Sequence, residues 1–126
     1  MKQPDRKPTD AELAILRVLW SRGPSTVRDV AAAMGREGAY TTVLKLLQIM
    51  MDKQLVRRDE STRTHVYEPA HSEAQMQQHL VADLLDRAFD GSAATLVMRA
   101  LSAKKTSAKE LADIRRLLES KQGEKP

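Results

Sequence analysis

Apolar residues recur along this chain with two different periods, and the change of period marks its organisation. Leu13, Leu16, Leu19 and Trp20 follow helical spacing. Thr9 and Glu12 precede them in the relation of a capping box, and Gly23-Pro24 ends the run, which predicts a helix over about residues 10–22. Ser25 and Thr26 offer a second N-cap, Asp29 complements the helix dipole, and Val27, Val30, Ala31 and Met34 form one stripe before Gly35 and Gly38. A third helix is expected over about residues 41–53, with Val43, Leu46, Leu47 and Met50 on its buried face.

After Leu55 the helical period stops. Val56-Arg57-Arg58 and Thr64-His65-Val66-Tyr67 are β-prone runs around the polar segment 59–63, which reads as a hairpin closed by Pro69. Three helices and a hairpin in this order predict a mainly α chain whose N-terminal lobe, residues 1–72, is a winged helix-turn-helix with a small β-hairpin wing. Trp20 and Tyr67 are expected in its core.

Three further helices are expected in residues 73–126. Ser72 with Gln75 caps a helix carrying Met76, Leu80, Leu84, Leu85, Ala88 and Phe89, which Gly91 closes. Ser92 caps a second with Ala93, Leu96, Val97, Ala100 and Leu101, and Ser107 with Glu110 caps a third with Leu111, Ile114, Leu117 and Leu118. The tail after Lys121 should fray, as should the proline-flanked arm over residues 4–8. About fifty residues make a marginal core without disulfides, metal or a partner. We therefore read this lobe as a dimerisation domain using Leu80, Leu84, Leu85, Phe89, Leu96, Val97, Leu101, Leu111, Ile114 and Leu118. The alternative is that these helices pack back on the N-terminal lobe in a monomer.

Composition narrows the functions available. The 126 residues contain no cysteine, which removes disulfides, thiol catalysis and thiolate metal sites. No apolar run is long enough to cross a bilayer and no apolar stretch follows the polar start, so a cytoplasmic protein without membrane insertion is expected. No phosphate loop, nucleophile elbow or zinc-binding helix motif is present, and His65, His71 and His79 share no spacing with a nucleophile or a ligand set. We expect no catalytic residues, no metal and no cofactor. The net charge of +4 is uneven: residues 1–72 hold 12 basic and 9 acidic side chains, while residues 73–126 hold 9 and 8. The excess sits mostly in the winged lobe, where an anionic partner would bind.

The outer face of the third helix offers the matching chemistry. Thr41, Lys45, Gln48 and Asp52 fall on one face, opposite the apolar stripe. Thr41 and Thr42 lie in the first turn, where hydroxyls and free N–H groups suit a phosphate or a base edge. Lys45 suits guanine or phosphate, Gln48 suits adenine, and Leu44 suits a thymine methyl. Such a stripe is also what any solvated helix face carries, and only its place between a turn and a basic hairpin favours DNA. Arg63 is the preferred wing contact. Arg28 adds a phosphate contact, Tyr40 either hydrogen-bonds a phosphate or packs its ring at the turn, and alternation directs only one of Arg57 and Arg58 toward DNA.

Several segments together resemble the penicillinase and methicillin-resistance repressors of the BlaI/MecI type. They are Pro8-Thr9-Asp10-Ala11-Glu12-Leu13, Val18-Leu19-Trp20, Gly23-Pro24, Thr26-Val27-Arg28-Asp29-Val30, Tyr40-Thr41-Thr42-Val43, Lys53-Gln54-Leu55-Val56 and Tyr67-Glu68-Pro69. The likeness continues through Phe89-Asp90-Gly91-Ser92 and Ser107-Ala108-Lys109-Glu110-Leu111, covering about residues 8–119. The resemblance implies a homodimeric repressor of a palindromic operator, controlling β-lactam or other stress-response genes and relieved through a membrane sensor metalloprotease. The chain departs from the family pattern in three places. Arg99-Ala100 stands where the best-known members have a scissile Asn-Phe, Thr41-Thr42 stands where they have Lys-Thr, and the cysteine pairs of copper-responsive relatives are missing. The alternative function is a winged-helix module that binds another protein without specific DNA binding.

Overall fold

The computed structural model describes residues 7–35 and 38–123; residues 4–6 of the expected arm and the last three of the expected frayed tail lie outside them. The described elements run α1 (Asp10–Arg22), α2 (Val27–Met34), α3 (Tyr40–Asp52), β1 (Val56–Asp59), β2 (Val66–Pro69), α4 (Glu73–Ala88), α5 (Ala93–Ala103) and α6 (Ala108–Gln122). The architecture is a winged helix-turn-helix followed by helices. The chain divides into two compact units, Met1–Val81 and Ala82–Pro126. That division falls inside α4, beyond the boundary expected between residues 72 and 73. The start of α4 belongs to the winged unit because Met76 is buried in its core, Leu80 packs against that core, and the Trp20 indole N–H donates to the His71 carbonyl at 3.0 Å.

Helix ends follow local chemistry. The Thr9 hydroxyl accepts from the Glu12 N–H at 3.2 Å while the Glu12 carboxylate accepts from the Thr9 N–H at 2.9 Å, which satisfies two N-terminal donors of α1. Gly23, at φ 90°, ends α1 by donating its N–H to the Leu19 carbonyl at 2.8 Å. Asp29 does more than complement a dipole: with Thr26 it closes a second capping box, at 3.1 and 3.3 Å. Ser72 and Gln75 close a third at the start of α4.

The winged unit packs Ile15, Leu16 and Leu19 of α1 against Val27 and Val30 of α2 and Val43, Leu47 and Met50 of α3. Leu55, Val56 and Tyr67 close this core beneath the wing. Ile15 lies outside the stripe read from sequence yet is fully buried, whereas Leu13 and Trp20 are only half-buried. β1 and β2 pair antiparallel from Val56↔Pro69 to Asp59↔Val66. The second strand therefore starts at Val66 rather than Thr64, and Pro69 is paired within it. Ser25 adds a one-residue bridge to Tyr67, with reciprocal N–H···O bonds of 2.9 and 2.7 Å, and so ties the entrance of α2 to the wing.

A buried ion pair joins the two ends of the helical triad. Glu12, 2% exposed, accepts from Lys53 Nζ at 2.8 Å in addition to its capping bond. It holds the C-terminal end of α3 against the start of α1.

The second unit contains the end of α4 with α5 and α6. Asp90 (φ 50°) and Gly91 (φ 78°) make the turn after α4, and Gly91 donates its N–H to the Leu85 carbonyl at 2.9 Å. Ser92 and Ser107 cap α5 and α6 through the N–H groups of Thr95 and Glu110, each at 3.1 Å. Neither α5 nor α6 has a buried residue. Leu84, Val97, Leu101, Leu111 and Leu118 are exposed, together with Met98 and Leu117, while Leu85, Phe89, Leu96 and Ile114 are partly covered. Leu80 differs from the rest of the expected pairing set because it packs on the winged core.

Candidate nucleic-acid interface

The start of α2, the first half of α3 and the wing surround a groove of about 560 Å³. Thr26, Val27 and Arg28 form one wall, Tyr40 and Leu44 of α3 a second, and Arg63, Thr64, His65 and Tyr67 of the wing a third. Four residues singled out from sequence for DNA contact, Arg28, Tyr40, Leu44 and Arg63, meet here although they come from three elements. The other four, Thr41, Thr42, Lys45 and Gln48, are not in the lining; they are exposed on α3 opposite buried Val43, Leu47 and Met50. Helix α3 follows Ala39 without a side-chain cap, so its first-turn N–H groups have no capping side chain beside Thr41 and Thr42.

The groove is electropositive. Arg28 and Arg63 line it, and among the described residues no carboxylate does. Among the described residues, three acids of α2 and the wing are engaged elsewhere: Asp29 caps α2, Asp59 accepts the Ser61 N–H at 2.9 Å, and Glu60 accepts from Arg58 Nε at 2.7 Å. The Ser61 backbone N–H, and after it the Ser61 hydroxyl, hold the Asp59 carboxyl below its ordinary value. The Tyr67 side chain, and then Glu60, raise the guanidinium of Arg58 above its ordinary value. Arg58 is thus tied into the wing beside Tyr67, its directly opposite neighbour on β2, while Arg57 points to the other face and is exposed.

Thr26, Thr64 and His65 escaped the sequence reading as groove residues. His65 was expected inside a strand, but the register leaves residues 60–65 as the wing loop. In that loop Thr62 Oγ1 donates to the Thr64 carbonyl at 2.7 Å, and His65 is exposed at the rim of β2. Only the cross-strand register reveals this, and no local spacing carries it.

A basic groove between a helix-turn-helix and its wing defines the winged-helix class. The chain belongs to the penicillinase repressor family, whose model matches residues 8–120. It is 40% identical over 84 residues to the transcriptional regulator BlaI of Mycobacterium tuberculosis, a match covering 64% of this chain and 61% of that protein. The aligned part is therefore less than two thirds of the mycobacterial relative. It is 21% identical over 119 residues to the penicillinase repressor of Bacillus licheniformis, with 93% of each chain covered. Among solved structures, a point mutant of Lactococcus lactis ZitR matches 97% of this chain and 78% of its own, at 19% identity and a TM-score of 0.47.

Proposed function

We propose that the protein is a cytoplasmic transcriptional repressor that binds a palindromic operator as a homodimer. The observation that carries this reading is the groove lined by Arg28 and Arg63, with no carboxylate among its described lining residues, directly beside the exposed polar face of α3. Family membership supports it. Thr41, Thr42, Lys45 and Gln48 enter the major groove and Leu44 meets a thymine methyl at its edge, while Arg28, Tyr40 and Arg63 hold the flanking backbone. Two-fold symmetry then spaces the half-sites by about one helical turn or a multiple of it.

Footprinting on the gene's own upstream region locates the operator, and a salt titration on that site tests the reading. The logarithm of affinity should fall linearly with the logarithm of salt, with a slope of about −0.9 per phosphate neutralised; a flat line sinks DNA binding. On the operator, Lys45→Ala or Gln48→Ala should cost about 1–3 kcal/mol and relax base choice, whereas Arg63→Ala should weaken all sequences alike. Equal losses on operator and random duplex for Gln48→Ala remove its role in base reading.

Dimerisation is supported by the second unit's surface: α5 and α6 have no buried residue, and four of their leucines are between 36% and 57% exposed. Apolar stripes of this kind are covered in a stable protein. Leu84→Asp and Leu118→Asp place a charge in the shared core and should shift sedimentation from dimer to monomer, with operator affinity lost in parallel. An intact dimer in both variants refutes the assignment.

The genes controlled belong to a β-lactam or other stress response; relief through a membrane sensor metalloprotease stands only as what the resemblance implies, and Arg99-Ala100 in place of the scissile Asn-Phe argues against cleavage at that bond. Arg99 and Ala100 lie within α5, and proteases take extended chain, so cleavage at that bond requires α5 to unwind first.

A further inference from the structure

The wing loop carries a group with no role so far. His65 shares the groove with Arg28 of α2 and Arg63 of its own loop, is exposed, and has Tyr40 of α3 and Tyr67 of β2 as the other titratable groups on the described walls. Among the described residues no carboxylate lines these walls: Asp29 on α2 is bonded to the Thr26 N–H, Asp59 to the Ser61 N–H, and Glu60 to Arg58. Among the described lining residues an imidazolium at position 65 therefore has cations as its charged neighbours, and an entering phosphate gives it an anionic partner.

We infer that His65 is a backbone-phosphate contact that takes up a proton as DNA binds, so that affinity for nucleic acid is coupled to pH. This inference rests on the DNA-binding reading above. Histidine is the side chain whose charge changes between pH 5 and 8, and an adjacent phosphate favours its charged form. Because the bound state favours the proton more than the free state, the added affinity is full at low pH and is lost as pH rises through the bound-state titration. Each charged His65 neutralises one more phosphate, steepening the salt dependence by about 0.9 per wing. For a fourfold rise in salt, that is about a threefold to fourfold larger loss of affinity for each wing.

The test is fluorescence anisotropy of the full chain on a labelled mixed-sequence duplex of about three helical turns, titrated with salt at pH 8 and pH 5.5. The wild-type slope should be steeper at pH 5.5. His65→Gln should lose that difference, and His79→Gln on α4 should keep it. A His65→Gln protein that retains the full difference overturns the inference, as does loss of the difference in His79→Gln alone. A wild-type slope that is steep at pH 8 and unchanged at pH 5.5 also overturns it while leaving DNA binding intact. A flat wild-type slope at both pH values overturns both readings.

Discussion

Lys53→Met should destabilise the winged unit by about 3–5 kcal/mol, the cost of leaving a buried charge without its partner. Glu12 is 2% exposed and receives Lys53 Nζ at 2.8 Å; in the variant its carboxylate keeps the Thr9 N–H bond and little else. The reverse change should be milder. Glu12→Gln keeps an acceptor for Thr9, and the Lys53 side chain, 14% exposed, has a route to water for its ammonium. The double variant should recover most of the loss, because a buried pair replaced as a unit leaves no orphan charge. Urea denaturation of the three variants checks this. A loss below about 1 kcal/mol for Lys53→Met places the pair with ordinary surface ion pairs and removes its role in anchoring α3.

Gly38→Ala is the second change with a large expected effect. A Cβ on Gly38 lies 2.0 Å from the Ala31 carbonyl oxygen and 2.8 Å from its carbonyl carbon, so backbone rather than a side-chain tip stands in the way. The approach of the chain into α3 must then move away from α2. We expect about 1–3 kcal/mol of lost stability, the usual cost of overpacking. We also expect a larger drop in operator affinity than in affinity for random duplex, because the direction of α3 sets base reading whereas the wing cations act through charge. Denaturation midpoints together with paired binding curves read both effects. A variant with the wild-type midpoint and wild-type specificity removes Gly38 from the positioning of α3.

How much of this was legible in the sequence follows the range of the interactions. The capping boxes at Thr9 with Glu12 and at Ser72 with Gln75 are present as expected, since each is complete within four residues. Periodicity alone also found Val43, Leu47 and Met50. It missed Ile15, and it assigned Leu80 to a pairing surface, because a helical period states which residues share a face and not what covers that face. The expected site was half gathered: Arg28, Tyr40, Leu44 and Arg63 meet in one groove, while Thr41, Thr42, Lys45 and Gln48 stand on the adjoining helix face.

By itself, then, the sequence determined the helix-helix-helix-hairpin order, the capped helix starts and the polar outer face of α3, all products of local propensity and short-range spacing. Tertiary structure decided the rest. It paired Glu12 with Lys53 across 41 positions, carried the winged unit through the first half of α4, and set the strand register that turns His65 into a groove residue beside Arg28 and Arg63. Each of these depends on which distant surfaces meet, and contacts between residues far apart in the chain leave no periodic mark on either segment.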